Sequence, residues 1–172
     1  MSIREKNIQS YFGKGIIVDT GPLVLLLAGY YDYDSIGKSK LTAEFTKGDF
    51  DLLTSFLSKF GKIIVTPHEL AEVSNLINTR VNKTDFADFI EKIIETLSDF
   101  KEAYVQKDEI ISREELKKVG ITDTGILLAC ERDNNLILTK DFQFKGLCIS
   151  KGLPVIHFDR LRAESWFMCK SV

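Results

Sequence analysis

The chain has 172 residues, of which 23 are lysine or arginine and 25 are aspartate or glutamate, giving a formal net charge of −2. This length is enough for one domain with an ample core. The charge balance excludes a broad basic face for non-specific nucleic-acid binding but leaves room for a small site. The three cysteines are widely spaced and match neither a zinc nor a disulfide pattern, and the first residues lack the apolar segment of a signal peptide. We therefore expect a cytoplasmic protein.

The stretch from residue 15 to residue 27 reads Gly-Ile-Ile-Val-Asp-Thr-Gly-Pro-Leu-Val-Leu-Leu-Leu. It predicts a short buried strand, Ile16–Val18, followed directly by a helix with Pro22 in its first turn. The apolar run after Pro22 is too short to cross a bilayer. Asp19 therefore stands at the carboxyl end of a buried strand, where open α/β sheets bind their ligands.

Short apolar segments and helical patterns alternate along the rest of the chain. This alternation predicts a single domain, residues 1–172, with a mostly parallel sheet between two layers of helices, a three-layer α/β/α fold. Its core spans residues 16–158, with an irregular insertion at 30–48, a loosely held arm at 1–14 and a C-terminal tail at 159–172. The predicted strands are residues 16–18, 63–65, 103–105, 136–138 and 155–158, and the predicted helices are residues 50–60, 68–80, 84–97, 114–119 and 142–151, besides those starting near 20 and 123.

Capping and turn residues set the expected helix boundaries. Asp49 and Thr84 are placed to cap the helices that follow them, and Gly61 and Gly120 to end the helices before them. The insertion at 30–48 has no periodicity, and long irregular segments in compact domains are usually functional or mobile.

Asp19, Asp123 and Asp141 each stand just before a predicted helix. Taken singly, each is explained as a helix N-cap, a position that favours aspartate. Asp19 and Asp141, however, follow runs of three aliphatic residues and so lie at the exits of buried strands, and the helix after Asp123 must pack on the same sheet. Since the exits of parallel strands share one edge, we predict that the three carboxylates meet there.

A fourth acid comes from the helix predicted at residues 68–80. Glu69 and Glu72 both lie in its first turns, and either could reach the same edge of the sheet. On a helical wheel Glu69 falls nearer the apolar face than Glu72, so periodicity leaves the choice open. A solvated face accounts for Glu72 without any function.

Carboxylates gathered at one edge would repel one another unless a cation lay between them. Two carboxylates about 4 Å apart repel by roughly 1 kcal/mol in water and roughly 4 kcal/mol at an effective dielectric constant of 20. Oxygen ligands without cysteine or a histidine pair favour Mg²⁺ or Mn²⁺ over zinc. Such an ion can activate water and stabilise charge on a phosphodiester oxygen, so the cluster predicts metal-dependent phosphodiester hydrolysis.

With these residues in place, the chain resembles the PIN-domain ribonucleases, a family that includes the toxins of bacterial and archaeal toxin–antitoxin pairs. The resemblance covers residues 16–158 in the family's order. It rests on four fragments: Val-Asp-Thr at 18–20, Leu-Ala-Glu-Val at 70–73, Ile-Thr-Asp at 121–123 and Leu-Thr-Lys-Asp-Phe at 138–142. The insertion at 30–48 is longer than compact toxin-type members usually carry.

The resemblance implies an endonuclease that cleaves single-stranded RNA with Mg²⁺ or Mn²⁺. It favours Glu72 over Glu69 as the second acid, and it implies that the hydroxyls of Thr20 and Thr139 orient carboxylates or water. It also suggests an antitoxin protein and a second copy of the chain, in a homodimer, as partners. The residues to which it assigns metal binding and catalysis are Asp19, Glu72, Asp123 and Asp141.

Several other side chains have two interpretations. Lys140 and Lys145, beside Asp141, either contact RNA phosphates or lie on a solvated surface. His68 and His157 have no ligand spacing between them and are expected to be structural. The tyrosines of the insertion either stack unpaired bases or, as we favour, pack against a second subunit; they are Tyr30, Tyr31 and Tyr33.

Two rival functions are compatible with the same residues. One is a PIN-like binding or scaffold module that keeps the fold without catalysis. The other is a DNA flap-type nuclease, which we rank lower because the small acidic chain has no obvious helix–hairpin element for binding duplex DNA.

Overall fold

The computed structural model describes the backbone of residues 8–169 and the side chains of residues 8–164. Within it, parallel strands form one sheet in the order β3-β2-β1-β4-β5. The strands are β1 (Ile16–Val18), β2 (Ile63–Val65), β3 (Lys101–Glu102), β4 (Leu136–Thr139) and β5 (Val155–His157). The sequence order reverses direction between β1 and β4, so this pair is the switch point of the sheet, where open α/β folds bind ligands.

The helices flank the sheet on both sides. A short 3₁₀ turn, Tyr33–Ser35, follows the first of them. The helices bounded within residues 8–169 are α1 (Thr20–Tyr31), α2 (Lys47–Leu57), α3 (Pro67–Arg80), α4 (Lys83–Ser98), α5 (Lys107–Ile111), α6 (Leu116–Asp133), α7 (Phe142–Ser150) and α8 (Phe158–Cys169).

Two hydrophobic cores lie on opposite faces of the sheet, because successive side chains of a strand point to opposite sides. Ile16 and Val18 pack in the larger core with residues of α1–α4 and α8. Ile17 points to the other face, where residues of α5–α7 form the second core. This arrangement confirms the predicted three-layer α/β/α fold with a parallel sheet.

Helix α1 is buried on nearly every side. Its residues from Pro22 to Gly29 are all buried, since the helix contacts α2, α3, α4 and β4. A helix that is apolar all round belongs in such a position. Asp19 caps it and Pro22 occupies its first turn, as predicted.

Two predicted helix caps were wrong. Asp49 does not cap α2, which begins two residues earlier. Thr46 is the N-cap, and its hydroxyl accepts from the N–H of Asp49 (3.2 Å) while Asp49 Oδ2 accepts from the N–H of Thr46 (2.7 Å), a reciprocal capping box. Helix α4 is preceded by Asn82 and is not capped by Thr84.

The region after α4 departs most from the prediction. The third strand is Lys101–Glu102 and not residues 103–105, because this exposed edge strand is polar and carries no apolar pattern. Helix α5 was not predicted. The helices predicted at 114–119 and from residue 123 form one element, α6, interrupted at Gly120, whose φ of 82° is readily adopted only by glycine.

Residues 8–14 are held by the body of the protein, so the prediction of a loose arm is wrong for them. The carbonyl of Phe12 accepts from the N–H of Gly61 (2.8 Å), and that of Lys14 accepts from the Asn135 side chain (2.8 Å). The remainder of the predicted arm, residues 1–7, lies outside the described residues. So do residues 170–172 of the predicted tail, whose earlier part forms α8.

The insertion at 30–48 is irregular, as predicted, but it is packed against the body of the protein. Ile36, Leu41 and Phe45 are buried in the larger core. Apart from the end of α1, the 3₁₀ turn and the start of α2, the segment consists of turns and extended backbone. Separately, no helix within residues 8–169 has the length and apolar character needed to cross a membrane.

Gly29 allows α1 to approach α2 closely. A Cβ added to Gly29 would lie 2.2 Å from a ring carbon of Phe50, which is itself in edge contact with Tyr30 and Tyr33.

We predict that Gly29→Ala lowers the free energy of unfolding, measured by urea denaturation, by about 1–3 kcal/mol, because the added methyl group would overlap the Phe50 ring. Gly146→Ala is the matched control, because a Cβ there meets nothing within 4 Å, and it should be neutral or stabilising by up to about 1 kcal/mol. Equal destabilisation by both changes would contradict the steric explanation.

Candidate active site

The structure brings the four predicted acids to one cavity of about 620 Å³ at the carboxyl edge of the sheet. Asp19 follows β1 and Asp141 lies just beyond β4, whereas Glu72 belongs to α3 and Asp123 to α6. The other side chains that matter for its chemistry are Thr20, Glu44, Ile121 and Lys140.

Asp19 is the buried acid at the centre of this arrangement. Its Oδ1 accepts from the N–H of Thr20 (2.6 Å) and its Oδ2 from the hydroxyl of Thr139 (2.5 Å). Burial raises the pKa of Asp19 to about 6, the two hydrogen bonds oppose this increase, and the charges of Glu72 and Asp141 add to it. The carboxylate is therefore fixed in orientation and sensitive to charge in the cavity.

Thr139 links the first acid to the last. Its hydroxyl donates to Asp19 and accepts from the N–H of Asp141 (2.9 Å). Asp141 is the N-cap of α7, as predicted, and its Oδ1 accepts from the N–H of Phe144 (2.8 Å). Thr139 therefore has the orienting position expected of it. The Thr20 hydroxyl is buried and has no hydrogen-bond partner among the described residues, so its predicted role in orienting a carboxylate or water stays a prediction.

Asp123 lies inside α6 and is not the N-cap of a new helix, so that part of its prediction was wrong. The left-handed Gly120 restarts the helix, which places Asp123 three residues later, in the first turn after the interruption. The pKa of Asp123 is raised to about 8, mainly by burial and in addition by the charges of Asp19, Asp141 and Glu72. These couplings are consistent with the four acids sharing one cavity.

The two glutamates of α3 have different environments. Glu72 is exposed and lines the cavity. Glu69 is fully buried, and its Oε2 accepts from the N–H of Thr66 (2.7 Å) in a second capping box, while its Oε1 has no partner among the described residues. Burial raises the pKa of Glu69 well above its ordinary value, and Asp19 and Asp123 contribute. Glu69 is thus a buried acid outside the lining of the cavity, whereas Glu72 is part of that lining.

The chemistry of this donor set fits a hard divalent cation. The four acids offer only oxygen ligands, which suit Mg²⁺ or Mn²⁺. Burial raises the pKa values of Asp19 and Asp123, repulsion from the neighbouring acids adds to the increase, and a cation would relieve that repulsion. Among the described side chains, residues 8–164, no three His, Cys, Asp or Glu residues are arranged as a metal-binding group.

The two predicted lysines have different positions. Lys140 lines the cavity, forms an ion pair with Glu44 and lies 4.9 Å from the centre of the Phe45 ring. Lys145 is not part of the lining, and its ammonium lies 5.6 Å from the centre of the Phe142 ring.

Glu44 was not predicted as a site residue, because it lies in the insertion and carries no motif. The structural role of Glu69 could have been found, because Thr-x-x-Glu at 66–69 is the signature of a capping box.

His157 is buried and holds the backbone beside the site. Its Nε2 is 2.8 Å from the carbonyl oxygen of Lys140, and its Nδ1 accepts from the N–H of Asp159 (3.3 Å). His68 does not line the cavity. The tyrosines of the insertion contact rings of this same chain: Tyr30 and Tyr33 contact Phe50, and Tyr31 contacts Phe89.

A scan against models of known protein families finds no match for this chain, and a search of curated proteins finds no similar sequence. The function proposed for it therefore rests on the site itself and on the short motifs that build it.

Asp123 gives the stability a pH dependence of definite sign. Its pKa of about 8 in the folded chain exceeds the ordinary 3.8, so between these values the folded chain holds more protons than the unfolded chain. The free energy of unfolding should therefore fall as the pH rises through this range. Asp123→Asn removes this contribution. In EDTA, we predict that the Tm of Asp123→Asn exceeds that of the wild type by a small amount near pH 5 and by at least about 3 °C near pH 8.

Circular-dichroism melting curves measure this difference. Glu95→Gln, which removes an exposed acid of α4, is the control and should shift the curves by a constant amount at all pH values. A Tm difference between Asp123→Asn and the wild type that does not change with pH would contradict the prediction.

Proposed function

We propose that the chain is a PIN-like, Mg²⁺- or Mn²⁺-dependent endoribonuclease that hydrolyses phosphodiester bonds in single-stranded RNA. The observation that carries the proposal is that Asp19, Glu72, Asp123 and Asp141, from four separate parts of the sequence, line one cavity. Capping accounts for the positions of Asp19 and Asp141 but not for those of Glu72 and Asp123, which lie inside helices and line the same cavity. Burial raises the pKa values of Asp19 and Asp123, and the charges of neighbouring acids add to this increase, so the site at the switch point of the parallel sheet favours a divalent cation as the ligand.

In this proposal the same four acids hold the ion. When bound, it would supply a Lewis acid that activates water and neutralises charge on the phosphate. The chain's own contribution is orientation: the Thr139 hydroxyl fixes Asp19, and the N–H of Phe144 fixes Asp141. Lys140 is placed to contact a phosphate oxygen once its ammonium separates from Glu44.

RNA is the proposed substrate because the resemblance to the PIN-domain family points to it. The net charge of −2 gives no support for a broad duplex-binding face. The same resemblance supports a role as the toxin of a toxin–antitoxin pair, with an antitoxin protein as its partner.

Binding of Mn²⁺ should stabilise the folded chain. At a concentration of about 100 times Kd, an ion that binds only the folded state adds about 2.7 kcal/mol to the free energy of unfolding. For a chain of this length, we predict a Tm increase of about 5–10 °C. Asp123→Asn should lose most of this increase, and Glu95→Gln should keep it. A wild-type Tm that does not respond to Mn²⁺ would favour the scaffold function instead.

Removal of either Asp19 or Asp123 should abolish cleavage. We predict that Asp19→Asn and Asp123→Asn each lower kcat/KM for a labelled single-stranded RNA at least about 100-fold in Mn²⁺, because each removes a ligand of the proposed ion. Both variants should unfold at or above the wild-type temperature in EDTA, since like-charge repulsion falls.

The assay compares single-stranded RNA, single-stranded DNA and a flapped duplex side by side, and Glu95→Gln serves as the active control. Equal activity of the wild type and both variants would assign the cleavage to a contaminant and defeat the proposal. Preferential cleavage of the flapped duplex would indicate that DNA, and not RNA, is the substrate.

A further inference from the structure

Phe142 is an exposed aromatic side chain beside the acidic cavity. It directly follows Asp141, which lines the cavity, and it is the first residue of α7. Phe142 is 67% exposed. A single exposed apolar side chain is ordinary on a protein surface. The ring of Phe142 differs in the way it is held and in the charged residues around it.

The ring of Phe142 is held in one orientation by a buried support. It stacks on His157 with ring centres 3.9 Å apart and 22° between the planes. His157 is 2% exposed, and both of its ring nitrogens make hydrogen bonds, one to the carbonyl of Lys140 and one from the N–H of Asp159. Because the supporting imidazole is fixed, little conformational entropy remains to be lost when a flat ligand stacks on Phe142.

The charges around Phe142 fit a nucleotide. Lys145 has its ammonium 5.6 Å from the ring centre, and Lys140, two residues before Phe142, lines the cavity. An aromatic ring between two lysines can stack a base while the ammonium groups contact the adjoining phosphates. Ile121, which is 56% exposed, adds apolar surface to the lining of the cavity.

We propose that Phe142, supported by His157, is the stacking platform for one unpaired nucleobase of the RNA strand whose phosphate enters the cavity. This inference rests on the proposed function and gives a physical reason why the proposed nuclease would prefer single-stranded RNA. A base inside a duplex is stacked on both faces, whereas an unpaired base presents a face to an aromatic side chain.

The test measures equilibrium binding in Ca²⁺ of a single-stranded RNA octamer that carries one 2-aminopurine, with a gel to verify that the RNA stays intact. Stacking on Phe142 should quench the 2-aminopurine fluorescence. Phe142→Ala should weaken binding by about 5- to 150-fold and remove the quenching. Phe142→Trp should retain both. Because Phe142 is mostly exposed, all variants should melt near the wild-type temperature.

Tyr104→Ala is the matched control, since Tyr104 is 62% exposed and follows β3, which β2 and β1 separate from β4. It should leave binding and quenching unchanged. A duplex with the same label should bind weakly and show no dependence on Phe142. The stacking role of Phe142 would be contradicted if Phe142→Ala bound the octamer within about twofold of the wild type or left the quenching unchanged. It would also be contradicted if binding of the duplex depended equally on Phe142.

The platform and the proposed function can fail separately. If the wild type cleaves RNA in Mn²⁺ and Phe142→Ala has the same kcat and KM, the platform is wrong and the function stands. If the wild type binds and quenches the octamer through Phe142 but never cleaves RNA, the nuclease function is wrong and the platform stands. If the wild type does not bind the octamer, both are wrong.

Discussion

The parallel pairing of β1 with β4 is the constraint on which the site depends. Val18 is paired with Leu138, and the N–H of Asp19 donates to the carbonyl of Leu138 (2.9 Å), so the residues that follow the two strands emerge side by side. The Thr139 hydroxyl can then reach Asp19 across 120 residues of sequence. A slip of one residue would turn every β1 side chain to the wrong face. The register that buries Ile16 and Val18 therefore also positions the first acid.

Gathering carboxyl groups at this site lowers the free energy of unfolding, and packing elsewhere in the protein must offset the loss. Carboxyl groups are expensive to bury, which is why the pKa values of Asp19, Glu69 and Asp123 are all raised. The strand and helix that carry Asp19 are the most thoroughly apolar parts of the chain, with β1 fully buried and α1 buried on nearly all sides. Conflicts of this kind between local chemistry and stability are expected at functional sites.

The fold could be predicted wherever local chemistry determines the structure. β1 and β2 were predicted with their observed bounds because each consists of three aliphatic residues, and Asp141 was recognised as an N-cap because it stands directly before a predicted helix. β3 could not be predicted, since backbone pairing to β2 defines this polar edge strand. The position of Asp123 within α6 depends on the left-handed Gly120, and glycine in a sequence does not reveal which φ it adopts.

Glu44 shows what a sequence cannot reveal about the site. It lies in an aperiodic segment, and its position depends on tertiary contacts: the buried neighbour Phe45 and the donation from Arg162 to the Glu44 carbonyl (3.4 Å). Its carboxylate engages Lys140, the one base among the described residues that line the cavity, where acids outnumber bases five to one. The remaining charge is negative. An anionic strand can approach such a surface only after neutralisation, so the proposed nuclease would have to bind its cation before the phosphate.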